Sequence, residues 1–418
     1  MTPSSTARST ARIGRRIGKD GPVRTLFLAT VLGIAILFLL WLLSPYHPSV
    51  KEPLASNAGA NMSLSTNYFS PDYSTARARF LRMAEAARGR LESLVLDAGG
   101  PTGEALTIDI AWFGSLQPHR VLLHSSGLHG VEAFAGSAIQ LKFLDSLPEI
   151  PDDAAIVLIH TLNPYGMAWL RRVNEANVDL NRNFLGPGED YSRAPDLYGK
   201  LDSFLNSTSL PSWDYFHLKT AWFRVRYGGD RLREAIAGGQ YEYPRGLFFG
   251  GTKLQQGPEK YQNFIAQRLA SVERIVAIDV HTGLGKYSED TLLVDEKYYQ
   301  AHRAIFGPRV EPLDRDLSSA YRVRGGIHSM FYRLFSEVEL FFLSQEFGTY
   351  NPVSVLYALR EENRWHHYGD GSVDHPTKHR LKDAFAPNDD SWRQRVLVRG
   401  RELLKQAVEV AFTASNQP

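Results

Sequence analysis

The sequence predicts an α/β fold: a mixed, largely parallel sheet with helices on both faces, preceded by one N-terminal transmembrane helix. Short and almost wholly apolar stretches alternate with longer helical patterns along most of the 418 residues, as in parallel sheets that are buried on both faces. A separate apolar run near the N-terminus has the length of a membrane span. The hydrophobic share of 43% excludes disorder over most of the chain.

The apolar run covers residues 26–43 and is interrupted only by Thr30 and Gly33. As a helix it would rise roughly 27 Å, close to the ~30 Å hydrocarbon core of a bilayer. We therefore expect a basic cytoplasmic tail over residues 1–24, a transmembrane anchor over 25–44 and a flexible stalk, rich in Pro, Ser and Asn, over 45–66.

Charge is unevenly distributed, although the formal net charge is only +2. Residues 1–24 hold six basic residues and one acidic residue, so this tail carries +5 and the rest of the chain carries −3. The positive-inside rule then places the N-terminus in the cytoplasm and the following domain outside it, periplasmic or extracellular, on a single-pass anchor in the cell membrane. A signal peptide that is cleaved to release a secreted form is the alternative, although its apolar core is usually shorter.

The globular part is expected over residues 67–415, with strands as short apolar runs and helices with apolar residues three and four apart. In chain order the predicted elements are a helix at 74–98, strands at 106–113 and 120–123, a helix at 131–147, a strand at 155–159, a helix at 260–272, strands at 274–280, 291–294 and 338–344, and helices at 353–366 and 391–412. Residues 185–260 break this alternation with Pro-, Gly- and Tyr-rich segments, which predicts a long insertion of loops.

Several classes of function are excluded by composition and motifs. The near balance of 47 basic and 45 acidic residues argues against a nucleic-acid binder. Nucleotide binding is not expected, because neither a P-loop nor a strand-linked G-x-G-x-x-G occurs. Since the chain has no cysteine, any metal ion must be held by histidines and carboxylates.

Candidate metal ligands follow two of the predicted strands, at the strand ends where ligands bind in open α/β sheets. His129 and Glu132 come after the strand at 120–123 and are three residues apart, a spacing that places both side chains on one face of a helical turn. His281 follows the strand at 274–280. Two histidines and one carboxylate are a common ligand set for catalytic zinc, which leaves a position open for water.

Two further segments carry residues suited to catalysis and substrate binding. The motif N-P-Y-G at 163–166 precedes Arg172 and the motif D-L-N-R-N-F at 179–184. An arginine can bind a carboxylate through two hydrogen bonds or stabilise an oxyanion, although most arginines are solvated surface charges. Glu346 follows the strand at 338–344, where a carboxylate can act as a general base or make a structural hydrogen bond.

These segments, in this order, resemble the zinc carboxypeptidase superfamily over about residues 83–404. The motifs L-H-G-V-E-A, V-D-L-N-R-N-F, D-V-H-T-G and Q-E-F-G-T are most similar to a bacterial branch classified as a domain of unknown function, near the succinylglutamate desuccinylase and aspartoacylase group. The resemblance implies a zinc carboxypeptidase-like fold. It also implies that His129, Glu132 and His281 hold one zinc ion per chain.

The resemblance also implies roles for four other residues. Glu346 would be the general base that activates water and then protonates the leaving amine, and Arg172 would stabilise the oxyanion. Asn181 and Arg182 would bind the terminal carboxylate of the substrate.

The sequence departs from the superfamily pattern in three places. Tyr165 replaces the usual aspartate of N-P-D-G, and the insertion at 185–260 is long. The mobile tyrosine that caps the substrate in the superfamily has two candidates here, Tyr321 and Tyr350, and ordinary packing is the alternative for each. These departures affect substrate specificity more than metal chemistry.

We therefore expect a membrane-anchored zinc hydrolase that cleaves an amide or peptide bond next to a free carboxylate. A deacylase of N-acyl amino acids is the first alternative, and a non-catalytic protein that binds peptide or cell-wall fragments is the second. The expected partners are a peptide or N-acyl amino acid with a free carboxylate, and the lipid bilayer through the N-terminal helix.

Overall fold

The computed structural model describes residues 66–313 and 323–413. The strands are β1 (Arg90–Gly99), β2 (Ala105–Gly114), β3 (Arg120–Ser126), β4 (Ala154–His160), β5 (Arg274–Tyr287), β6 (Asp290–Val294), β7 (Val310–Pro312) and β8 (Glu339–Gly348). They form an eight-stranded sheet in the order β1-β2-β4-β3-β5-β8-β6-β7. Four strand pairs are parallel, including β3 with β5 and β5 with β8, and three are antiparallel. The predicted α/β class, with a mixed and largely parallel sheet, is confirmed.

Helices cover both faces of this sheet. They are α1 (Tyr73–Ala86), α2 (Ala133–Leu144), α3 (Pro164–Ala168), α4 (Asp196–Leu205), α5 (Phe216–Tyr227), α6 (Gly229–Ala237), α7 (Gln256–Arg268), α8 (Tyr299–Phe306), α9 (Ile327–Leu334), α10 (Pro352–Tyr368), α11 (Pro376–Phe385) and α12 (Asp390–Phe412). Short 3-10 turns lie at Thr66–Tyr68, Gly130–Glu132, Leu180–Arg182 and Glu296–Tyr298.

The central strands send alternate side chains to two separate cores. In β3, Leu122 packs into the core that α1, α2 and α12 cover, whereas Val121 and Leu123 pack into the core that α7 and α9 cover. The side chains on both faces of β3 are fully buried. This explains why the central strands are continuous apolar runs in the sequence. This burial fixes the register of the strands, because a slip by one residue would exchange the two faces.

The predicted helix over 74–98 is wrong beyond Ala86. The chain turns at Arg88, which has a positive φ of 62°, and continues as the edge strand β1, which pairs with β2 alone among the described strands. A side chain at Gly89 would lie 2.7 Å from the ring of Phe113, so the close approach of the turn to the sheet requires glycine there. The apolar residues after Arg90 have a spacing that suits either a helix or an edge strand, and pairing with β2 decides between them.

The insertion at 185–260 contains the three helices α4, α5 and α6 rather than loops alone. They enclose a small apolar core of their own, in which Tyr198 and Leu201 of α4 pack with Phe216 of α5 and Leu232 of α6. Of the tyrosines that suggested loops in the sequence, Tyr198 belongs to this core, and Tyr227 and Tyr243 pack against it.

The predicted tail, the predicted anchor and the predicted stalk up to residue 65 lie outside the described residues. Within residues 66–313 and 323–413, no helix is both long enough and apolar enough to span a bilayer.

Two buried histidines on the central strands are expected to make folding stability depend on pH. Burial lowers the pKa of both His124 and His160 to about 4, whereas a histidine in an unfolded chain titrates near 6.5. Between these values the unfolded chain binds protons that the folded chain does not, so stability decreases as the pH falls from about 6.5 to about 4. Each histidine contributes a slope of about 1.4 kcal/mol per pH unit. Urea unfolding across this range should show a shallower decrease for His160→Gln than for the wild type, and equal slopes would contradict this account.

Candidate metal centre

The predicted site residues converge because they end three neighbouring strands. His129 precedes the 3-10 turn Gly130–Glu132 and Glu132 ends it; the turn follows β3 and leads directly into α2. His281 lies on β5, next to β3, and pairs in register with Glu346 on β8. The parallel order of β3, β5 and β8 therefore brings all four side chains to one edge of the sheet, as expected for the carboxyl ends of strands in an α/β fold.

His129, Glu132 and His281 are arranged so that they could hold a metal ion. Each offers one ligand atom, and these atoms lie within 4.8 Å of one another. Glu132 is central: its Oε1 lies 2.9 Å from Nδ1 of His129, and its Oε2 lies 3.3 Å from Nδ1 of His281. All three side chains are buried.

Each histidine of this set turns its other ring nitrogen towards a buried aspartate. Nε2 of His129 lies 3.1 Å from Oδ1 of Asp179, and Nε2 of His281 lies 2.7 Å from Oδ2 of Asp279. The second oxygen of Asp279 accepts a hydrogen bond of 2.5 Å from the hydroxyl of Ser125. Carboxylates in this position orient metal-binding histidines, and for His281 Asp279 can hold the proton on the nitrogen that faces away from the metal. Nε2 of His129 also lies 2.8 Å from Nη2 of Arg172, which can only donate a hydrogen bond.

The sequence analysis predicted no role for Asp179 or Asp279, although both belong to the motifs D-L-N-R-N-F and D-V-H-T-G. For Asp279 a signal existed, because residues two apart on a strand share a face and Asp279 lies two before His281. For Asp179 the contact spans 50 residues and depends on how the loop after α3 folds back.

The charge of the centre favours a divalent cation. Four buried carboxylates face two buried guanidinium groups: Glu132, Asp179, Asp279 and Glu346 against Arg172 and Arg182. Carboxylates therefore outnumber guanidinium groups in this buried set, and buried charges are costly unless they are paired or bind a metal. The donor set, which consists of imidazole nitrogens and a carboxylate, suits zinc.

The pKa values of Asp179, His281 and Glu346 are shifted by the charged groups around them. Burial disfavours ionisation of Asp179, but the charges of Arg182 and then Arg172 outweigh it and hold the pKa well below its usual value. Burial also acts to lower the pKa of His281, but Asp279 and Glu132 together raise it well above 6.5. For Glu346, burial and then the negative charge of Glu132 raise the pKa to about 8.

Arg172 lies directly beside the ligand set. Its Nη1 donates to Oε1 of Glu132 at 2.9 Å and its Nε donates to Oδ2 of Asp179 at 3.1 Å. The guanidinium also packs against the rings of Phe248 and Phe385, at 5.5 and 5.8 Å from their centroids. Its position next to the metal ligands is compatible with the predicted stabilisation of an oxyanion, which stays a prediction.

Asn181 and Arg182 lie next to the centre but contact other parts of the protein. Arg182 is fully buried, with Nη1 3.2 Å from Oδ2 of Asp179 and Nη2 donating to the carbonyl of Ala237 in the insertion. The side chain of Asn181 accepts a hydrogen bond of 3.0 Å from the amide of Ile327 at the start of α9. Their predicted role as the pair that binds a substrate carboxylate stays a prediction.

The other predicted residues are placed as follows. Oε1 of Glu346 accepts a hydrogen bond of 2.9 Å from the amide of Leu284. The hydroxyl of Tyr350 donates to Asp383 at 2.9 Å, whereas the second capping candidate, Tyr321, lies outside the described residues. Tyr165, in place of the usual aspartate, stacks on Trp169 and makes no ring contact with the histidines among the described residues.

The sequence was compared with known families, curated proteins and solved structures. Residues 69–399 match the family described as "Protein of unknown function (DUF2817)", and no curated protein matches.

Three solved structures are among those similar to this chain. The carboxypeptidase A of Helicoverpa armigera is 12% identical, with coverage of 86% of this chain and 82% of that chain and a TM-score of 0.45. Bovine thrombin-activatable fibrinolysis inhibitor, solved with tick carboxypeptidase inhibitor, is 12% identical, with coverage of 81% and 99% and a TM-score of 0.41. A candidate succinylglutamate desuccinylase/aspartoacylase of Shewanella frigidimarina NCIMB 400 is 17% identical, with coverage of 71% and 73% and a TM-score of 0.33.

The family match covers most of the chain and confirms the predicted placement in a family of unknown function. The chain belongs to the DUF2817 family.

Proposed function

We propose that the protein is a zinc-dependent hydrolase that cleaves an amide or peptide bond next to a free carboxylate. The observation that carries this proposal is the convergence of His129, Glu132 and His281, with Glu346 on the neighbouring strand. A zinc ion held by these three residues would polarise the substrate carbonyl and make a water molecule more acidic.

Glu346 is the proposed general base. Its Oε1 is held by the amide of Leu284, which leaves Oε2 to take a proton from the attacking water and to deliver it to the leaving amine. Burial and the charge of Glu132 raise its pKa to about 8, and a pKa near the working pH suits a group that first accepts and then donates a proton.

Arg172 is the proposed electrostatic partner of the reacting carbonyl. Asp179 and Glu132 fix its guanidinium, so its positive charge is already in place when negative charge develops on the carbonyl oxygen, and no reorganisation is needed at that moment. Asn181 and Arg182 are proposed to bind the free carboxylate. For Arg182 this requires that its contact with the Ala237 carbonyl opens.

A deacylase of small N-acyl amino acids is the second candidate, and the burial of the site favours it. The metal ligands, Arg172 and Glu346 are all buried, and the insertion contributes Phe248 against Arg172. An enclosed site suits a small substrate better than the end of a long peptide.

We further propose that residues 25–44 anchor the catalytic domain outside the cytoplasm. The support is the apolar run at 26–43 and the basic residues before it, which orient such segments by the positive-inside rule.

The metal proposal predicts that the purified full-length protein contains about one zinc ion per chain, as expected for a His₂-carboxylate site. His129→Ala should lose most of this zinc, because it removes one of three ligands. The matched control is His119→Ala, since His119 is exposed and pairs only with Glu273 among the described residues. Metal analysis of the three proteins is the measurement, and wild-type zinc content in His129→Ala would refute the ligand set.

The base proposal predicts that Glu346→Gln keeps its zinc but loses hydrolysis by about 10²- to 10⁴-fold, the usual contribution of a general base. Glu273→Gln, a change of an exposed carboxylate, should keep full activity. Turnover of N-acyl amino acids and of dipeptides with free or amidated C-termini is the measurement. Undiminished turnover in Glu346→Gln would refute the role of Glu346 as general base. Faster hydrolysis of N-acyl amino acids than of dipeptides would favour the deacylase.

A further inference from the structure

Large exposed apolar side chains are concentrated in one segment of the insertion. Six of those on the described surface lie between residues 210 and 225, and together they are called the 210–225 surface: Leu210, Trp213, Tyr215, Leu218, Trp222 and Val225. Single exposed apolar residues need no explanation, but a local concentration of them marks an interaction site.

The helix α5 carries three of these six residues on a face of its own. Its inner face buries Phe216 and Thr220, and Phe216 packs against Phe204 of α4 and Tyr357 of α10. Leu218, Trp222 and Val225 are four and three residues apart, so they form a second apolar stripe that points away from the inner face. Val225 is 87% exposed and Trp222 is 57% exposed, so the described part of the chain leaves this stripe uncovered.

Positive charge borders the stripe. The exposed residues Lys219, Arg224 and Arg226 belong to α5, which contains no acidic residue. By helical geometry, Lys219 and Arg226 lie on one side of the stripe and Arg224 on the other. Two acidic residues near α5 pair with other arginines, Asp214 with Arg360 and Asp230 with Arg233 at 3.9 Å.

We propose that the 210–225 surface lies in the headgroup region of a bilayer that contains anionic lipid. An exposed apolar stripe with tryptophan, bordered by lysine and arginine, is the pattern of helices that lie in a membrane interface, and Trp213, 81% exposed, is suited to the same depth. A second copy of the chain fits less well, because pairing this face with itself would bring its basic residues together.

This inference does not depend on the metal chemistry. The predicted anchor at 25–44 supports the inference. Tethering to a bilayer raises the effective concentration of lipid near the 210–225 surface, so that a weak contact is enough for binding. Contact with anionic lipid should weaken at high salt, since the electrostatic part is screened.

The absence of cysteine from the chain allows a single reporter to be placed cleanly. Val225→Cys in the full-length protein is labelled with the environment-sensitive dye NBD. The protein is then reconstituted into vesicles of phosphatidylcholine, with or without about one third phosphatidylglycerol, a composition that supplies the anionic lipid such helices bind. The matched control is Val398→Cys, because Val398 is an exposed apolar residue on α12, outside the 210–225 surface.

With anionic vesicles, the Val225 label should shift its emission to the blue and react with aqueous dithionite about tenfold more slowly than the Val398 label, as expected for a side chain in the headgroup region. Adding Arg224→Glu and Arg226→Glu, or high salt, should remove this protection.

Equal accessibility of the two labels with anionic vesicles would overturn the proposal. Protection that appears without lipid and is lost on dilution of the protein would also overturn it, in favour of self-association. Protection that is equal with and without phosphatidylglycerol would refute the requirement for anionic lipid.

Discussion

One buried carboxylate, that of Asp179, connects the parts of the candidate site. It contacts the metal-ligand candidate His129, it binds both Arg172 and Arg182, and its own amide donates to the carbonyl of Phe249 in the insertion. A buried charge of this kind is favourable only while its partners stay in place. Asp179 therefore ties the ligand set, the two arginines and the insertion into one arrangement, and a change in any of them affects the others.

The sheet provides the rigid support for this arrangement. The strands β3, β5 and β8 are parallel neighbours, and cores on both faces fix their register. The pairing of His281 with Glu346 across β5 and β8 sets the distance between a ligand and the proposed base. A site carried by buried strands is held more precisely than one carried by loops, and this matters because catalysis by proton transfer depends on hydrogen-bond geometry.

The sequence predicted most of the sheet and named the three candidate metal ligands that the structure brings together, because both follow from local patterns. Apolar runs marked β3, β4, β5 and β8, and polar residues after those runs marked His129, Glu132 and His281. The resemblance to a known superfamily added the expected order of the motifs. Edge strand β1 was missed because its apolar spacing also suits a helix, and only pairing with β2 distinguishes the two.

Contacts between distant segments could not be predicted from the sequence. The burial of Arg182 depends on the Ala237 carbonyl, 55 residues further along the chain. The spacing of Asp279 and His281, two residues apart on a strand, indicates that their side chains share a face. Their burial, which strengthens the interaction between them, depends on the fold. The exposed face of α5 was hidden in a segment whose prolines, glycines and tyrosines suggested loops, and only the three-dimensional arrangement separates its buried aromatic residues from its exposed ones.

His129, Glu132 and His281 are proposed to hold a divalent cation in a buried set where carboxylates outnumber guanidinium groups. Thermal unfolding of the full-length protein, with zinc and after removal of zinc by a chelator, tests this most directly. Since a metal that binds only the folded state stabilises it by about 4 kcal/mol at a thousandfold excess over its dissociation constant, zinc should raise the wild-type Tm by several degrees. His281→Ala should lose most of this increase. An unchanged wild-type Tm with and without zinc would contradict the account.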